Sequence, residues 1–183
     1  MKKLIVLIAL SLASVAVLPQ KYMTKNGYIG FYGHTPVEDI KADNNQVSGI
    51  IDVATNQIVF QVLMKSFRFD RSLMEEHFNE NYVESDKFPK ASFKGTVTEP
   101  AGVDLNKTGA YEVTVSGDMT IHGVTKPVTV KGTIEVLADA IKAISKFNIL
   151  PEDYDISIPS VVREKIAKEM EVTVNMNYAP MGK

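Results

Sequence analysis

The chain has 183 residues, of which 45% are hydrophobic, and 20 Lys+Arg stand against 22 Asp+Glu with no cysteine. That length suits a single well-filled core and excludes two independent ones. The missing cysteines exclude disulfides and an acylated lipoprotein cysteine, and the slight negative charge argues against a nucleic-acid partner.

The first segment carries Met1-Lys2-Lys3 and then an uncharged run from Leu4 to Leu18, broken only by Ser11 and Ser14. That is the plan of a secretory signal peptide, and it is shorter than the roughly 20 apolar residues of a spanning helix. Small residues at Ser14 and Ala16 set a cleavage expectation of 1–16, soft up to about 19, ahead of a single domain over 17–183. Removal of Lys2 and Lys3 lowers the basic count to 18 against 22 acidic residues, a formal charge of −4. A periplasmic or secreted protein with no stable membrane anchor is expected.

From Lys21 onward, apolar residues recur with period two, the mark of strands with one buried face. A weak strand is predicted over 21–34, and Thr35-Pro36-Val37-Glu38 reads as a single helical turn with Pro36 at its first position. Asn44-Asn45 and Thr55-Asn56 read as turn formers around a weak strand at 46–54. Ile58, Phe60, Val62 and Met64 then alternate clearly, and Phe67 and Phe69 continue on the opposite parity, which predicts a bulge near Ser66. Arg71 to Asn79 is a predicted helix opened by a capping box, with Ser72 at the N-cap and Glu75 three residues on; Met74 and Phe78 share one of its faces.

A further weak strand spans 91–98, including Phe93, and Pro100-Ala101-Gly102 is a turn. Val113, Val115 and Met119 form the buried face of a nearly perfect strand that ends at Gly123, and Val128, Val130, Ile134 and Val136 form the next. The set is completed by 141–150 with Phe147, an amphipathic stretch at Ser160 to Glu169, and the alternation of Val172, Val174, Met176 and Tyr178. The total is about eight strands joined by short connections, which predicts an all-β antiparallel meander closed into a barrel or folded into a sandwich, with short covering helices.

Catalytic chemistry finds little support. The only histidines, His34, His77 and His122, lie outside metal-ligand spacing of each other, and no nucleophile elbow or phosphate loop is present. Glu75, Glu76 and His77 sit together, but consecutive helical positions point about 100° apart and do not converge on one substrate atom. No catalytic residue, metal site or required cofactor is therefore assigned. The inward set is rich in Phe and Met: Phe60, Met64, Phe67, Phe69, Phe78, Phe93, Met119, Phe147 and Met176, beside Val62, Val113, Val115, Val130 and Val174. Such a face can be a filled core or the wall of a deformable apolar pocket, since an eight-stranded barrel is just wide enough for one small ligand.

Two segments carry a resemblance that bears on this choice. Phe67-Arg68-Phe69, Leu73 to Phe78 and Ser85 to Gly95 resemble the central motif of the YceI-like family, and Gly117 to Val128 is similar to its G-x-L-T-x-H-G-V-T-K/R-P-V segment. The resemblance implies an eight-stranded lipocalin-like barrel, exported, whose lumen binds a polyisoprenoid or quinone-like lipid. On that reading the inward residues line a lumen, and Arg68, Arg71, His77 and His122 are candidates for a rim that meets the head group. An apolar lipid is the expected partner, and a homodimer is compatible with the pattern. The rival reading is a structural or adhesive sandwich without a ligand.

Overall fold

The computed structural model describes residues 20–181; the expected signal segment lies outside the described residues. Eight long strands form one antiparallel sheet that closes on itself. In chain order they are β1 (Lys21–His34), β2 (Asp39–Asp52), β3 (Gln57–Leu63), β5 (Lys90–Glu99), β6 (Gly109–Ile121), β7 (Val124–Val136), β8 (Ile141–Ile149) and β9 (Met170–Pro180), with a two-residue β4 (Arg68–Phe69) between β3 and β5. The order around the wall is β1-β9-β8-β7-β6-β5-β3-β2, and β1 pairs with β2 to complete the ring. Every long strand pairs with two neighbours around this ring, so the architecture is a barrel.

The period-two pattern explains the closure. Ile58 and Val62, then Val113, Val115 and Met119, then Val172, Val174, Met176 and Tyr178 all bury against the interior, while the intervening polar positions face water. Most connections are tight. His122-Gly123 joins β6 to β7 in two residues, both in the left-handed region with φ of 51° and 77°, the geometry of a type I′ hairpin. At one end of the barrel the loop after β5 tucks Leu105 into the core, 1% exposed, and Asn56 Nδ2 holds that loop by donating to the Val103 carbonyl at 3.2 Å.

Several local expectations are corrected. Asn44-Asn45 is no turn, because β2 runs straight through it with a bulge that shifts its register against β1. Asn44 is fully buried and satisfied there: its Nδ2 donates to the Leu63 carbonyl at 3.1 Å and its Oδ1 accepts from the Gln46 amide at 2.8 Å. The bulge carries the buried set from Ala42 and Asn44 to Val47 and Ile51, so the alternation changes parity within one strand.

Near Ser66 the predicted bulge is a helical turn, Met64–Ser66, that ends β3; Arg68–Phe69 then pairs back onto β2 at Ala42 and Asp43. Thr35 to Glu38 makes a hairpin loop and no helix, although the Thr35 hydroxyl still accepts from the Val37 and Glu38 amides at 3.3 and 3.0 Å. The helix α1 spans Ser72–His77 with Arg71 at its N-cap and no side-chain cap. Its Glu75 carboxylate is engaged elsewhere, accepting from Arg68 Nη1 at 2.9 Å and from the Phe69 amide at 3.3 Å. The stretch at 160–169 forms only one helical turn, Ser160–Val162. Among the described residues no helix is long and apolar enough to cross a membrane.

Candidate functional site

Two chain segments cover the barrel end opposite Leu105: 64–88 between β3 and β5, and 150–169 between β8 and β9. The first is seated by aromatic packing. Phe31 on β1 lies 5.4 Å from Phe67, 5.8 Å from Phe69 and 5.5 Å from Phe78, and Phe78 lies 5.1 Å from Phe69. Tilted and edge-on contacts at these separations add to the burial of each ring. The second cover turns Pro151, Ile156, Ile158, Val162 and Ile166 toward the same space.

Between the barrel end and these covers lies a cavity of about 460 Å³, within the roughly 300–1,000 Å³ of small-molecule sites. Phe60, Val62, Met64, Phe67, Phe69, Phe78, Met119, Phe147 and Val174 line it. A smaller cavity of about 60 Å³ lies deeper and is lined by Phe93, Val113, Val115, Val130 and Met176. Phe60, Met119, Phe147 and Val174 belong to both and form a waist between them. Phe60 and Phe93 stack there at 5.2 Å. Every inward residue singled out from the sequence thus faces one of the two spaces.

Sequence reasoning missed Ile29, Phe31, Tyr82, Ile156 and Ile158, while Val162 and Ile166 belong to the stretch read as an amphipathic cover. Ile29 and Phe31 share a face of β1, and their alternation could have revealed them; the 156–159 segment is irregular and carries no period to read. Burial raises the Tyr82 phenol above its ordinary value.

Polar groups gather at the mouth, where Glu38, Arg71, His77 and Lys165 line the cavity. Arg71 pairs with the Glu38 carboxylate and Lys165 adds a second cation. Two rim candidates lie elsewhere. Arg68 is turned onto Glu75 and the Lys65 and Phe67 carbonyls, off the cavity. His122 is a brace: its ring is 10% exposed, Nε2 meets Glu84 Oε2 at 2.9 Å, Nδ1 meets the Tyr154 carbonyl at 3.1 Å, and Phe88 packs edge-on at 4.4 Å. It ties both covers to the β6–β7 hairpin. The hydrogen bond from His122 holds the Glu84 carboxyl below its ordinary value.

His34 pairs with Asp39 at 2.6 Å on the exposed β1–β2 hairpin, so the three histidines have separate surroundings. Among the described residues no group of three or more His, Cys, Asp or Glu is placed to hold a metal ion.

A family model described as a YceI-like domain matches residues 22–178. The chain belongs to the YceI-like family. A UPF0312 protein of Pseudomonas fluorescens is 42% identical over 55 residues, 30% of this chain and 27% of that relative, so the match spans about a quarter of the relative's length. Among solved structures, a polyisoprenoid binding domain from Saccharophagus degradans implicated in plant cell wall breakdown superposes with a TM-score of 0.75 at 15% identity, covering 89% of this chain and 99% of that one. BcnA of Burkholderia cenocepacia superposes with a TM-score of 0.69 at 15% identity, covering 84% and 96%. At such identities the shared property is the YceI-like barrel itself.

Proposed function

We propose that this YceI-like chain is an exported binding protein that holds a polyisoprenoid or quinone-like lipid in its barrel, and that it is not an enzyme. The observation that carries the reading is the cavity of about 460 Å³, whose walls are apolar and whose few charged groups sit at one mouth. A solid core at native density leaves few voids larger than a water molecule, so an apolar space of this size suits an apolar occupant. At about 0.8 kcal/mol per buried CH₂ group, an isoprenoid tail gains enough on entry to offset the cost of immobilising it. Arg71, His77 and Lys165 at the mouth suit a polar head group that stays near water. The polyisoprenoid-binding neighbour with the same fold supports the choice of lipid, and the signal-like segment supports export.

Protein purified from its native host should release an isoprenoid lipid into organic solvent, read by mass spectrometry. Delipidated protein should gain thermal stability on addition of farnesol. Saturation at about a hundred times Kd contributes about 2.7 kcal/mol, which for a domain of this size raises Tm by roughly 5–10 °C. Absence of both the lipid and the shift would refute the reading and favour a ligand-free module.

A further inference from the structure

We propose that the barrel wall has a second opening, a lateral window between β7 and β8, through which the tail of a ligand too long for the end cavity passes. This rests on the lipid-binding reading and adds how long a chain the barrel takes and by what path. The ladder between β7 and β8 runs only from Val136↔Ile141 to Gly132↔Ser145. Beyond it, β7 continues to Val124 paired with β6 alone, and β8 continues to Ile149 paired with β9 alone. Two strand edges therefore face each other without joining. The Ser145 hydroxyl, donating to the Lys131 carbonyl at 2.6 Å, marks one corner of the gap, and the Lys126–Asp153 ion pair at 3.6 Å marks the other.

A proline lies at the far end of the gap. Ile121 and Val124 flank a two-residue hairpin and exchange both backbone bonds, so pairs further along alternate between bonded and unbonded. Pro127, opposite Asp118, falls at an unbonded position, where its nitrogen points away from β6 and toward β8. Proline supplies no N–H there, and proline within sheets belongs on edges. Val128, Val130, Phe147 and Ile149 at the gap are half-buried, as are the cavity-lining Phe60 and Ile121 on paired wall, whereas Val113, Val115 and Val174 are buried. The smaller cavity reaches this seam, since Lys131 and Ser145 line it together with Val113 and Val115.

Ligand length gives the window its use. The end cavity of about 460 Å³, with a further 60 Å³ beyond the waist, is a space of small-molecule size. A farnesyl chain suits that space; a solanesyl chain is far longer and needs further path. The longer tail has an apolar path past the waist to the half-buried residues of the gap.

The test uses V130C at the gap and V113C on the intact wall as control, in a chain that otherwise lacks cysteine, with F147C as a second probe from the facing strand. In lipid-free protein V130C should react with a thiol reagent at least about tenfold faster than V113C, as expected for a side chain that needs no unfolding to be reached. Farnesol should leave V130C reactive, and solanesol should protect it, with binding of each prenol followed by native mass spectrometry. If V130C and F147C are as slow as V113C in protein that binds both prenols, or if solanesol binds without protecting them, the window is refuted. If neither prenol binds, the lipid reading falls, and the passage of a tail falls with it.

Discussion

Ala91→Phe separates a lumen from a filled core. Ala91 lies on β5 opposite Val62 and lines the end cavity. A ring the size of benzene fits a space of about 150 Å³, so the new side chain would take a third of about 460 Å³. In a close-packed core such an insertion costs typically 1–3 kcal/mol through forced rotamers and backbone shifts. Projecting into open space, the ring meets no such resistance, and the stability of lipid-free protein in urea should change by less than about 1 kcal/mol. Affinity should respond instead. The displaced volume corresponds to about five chain carbons, or about 4 kcal/mol at 0.8 kcal/mol per CH₂, an upper bound because the chain can slide toward the mouth. Farnesol binding, titrated by native mass spectrometry, should weaken by one to three orders of magnitude. Loss of more than about 2 kcal/mol of stability with unchanged farnesol affinity would refute the lumen.

Other variants probe the covers and the wall. Phe31→Ala removes the ring at the centre of the aromatic cluster and should cost about 3–5 kcal/mol, with limited proteolysis reporting early cleavage within 64–88. Gly117→Ala places a Cβ 2.3 Å from the Gly95 Cα and the Lys94 carbonyl oxygen, which the paired backbone of β5 can relieve only by shifting; a marked fall in the urea midpoint with an unchanged m-value checks it. The Glu84 carboxyl is held below its ordinary value of 4.5 by His122. Its contribution is therefore complete above about pH 4.5 and is lost as pH falls through the lowered value. Glu84→Gln should flatten the acid limb of the stability profile, and an unchanged acid limb in urea titrations would remove the brace from consideration.

The sequence by itself determined most of the strands and their inward faces, and left barrel or sandwich to the closure of the sheet. The alternation at 58–64, 111–119, 128–136 and 172–178 assigns inward faces because side-chain direction along a strand reverses at each residue whatever surrounds it. Gly123 and Asn56 sit in left-handed turns for an equally local reason. What was not legible depends on distant partners. Asn44 reads as a turn former, and only the Leu63 carbonyl across the sheet makes it a satisfied buried bulge. Glu75 reads as a capping residue until Arg68 and the Phe69 amide compete for its carboxylate. His122 reads as a rim group until Glu84 and Tyr154, each more than 30 positions away, engage both its nitrogens. The cavity is the extreme case. Its volume is the difference between what the closed wall and two covers enclose and what their side chains fill, and no single segment carries that difference. The residues Phe60, Met119, Phe147 and Val174 have the same identities in a core or a lumen; the tertiary structure decides, because it sets how far apart the facing walls stand.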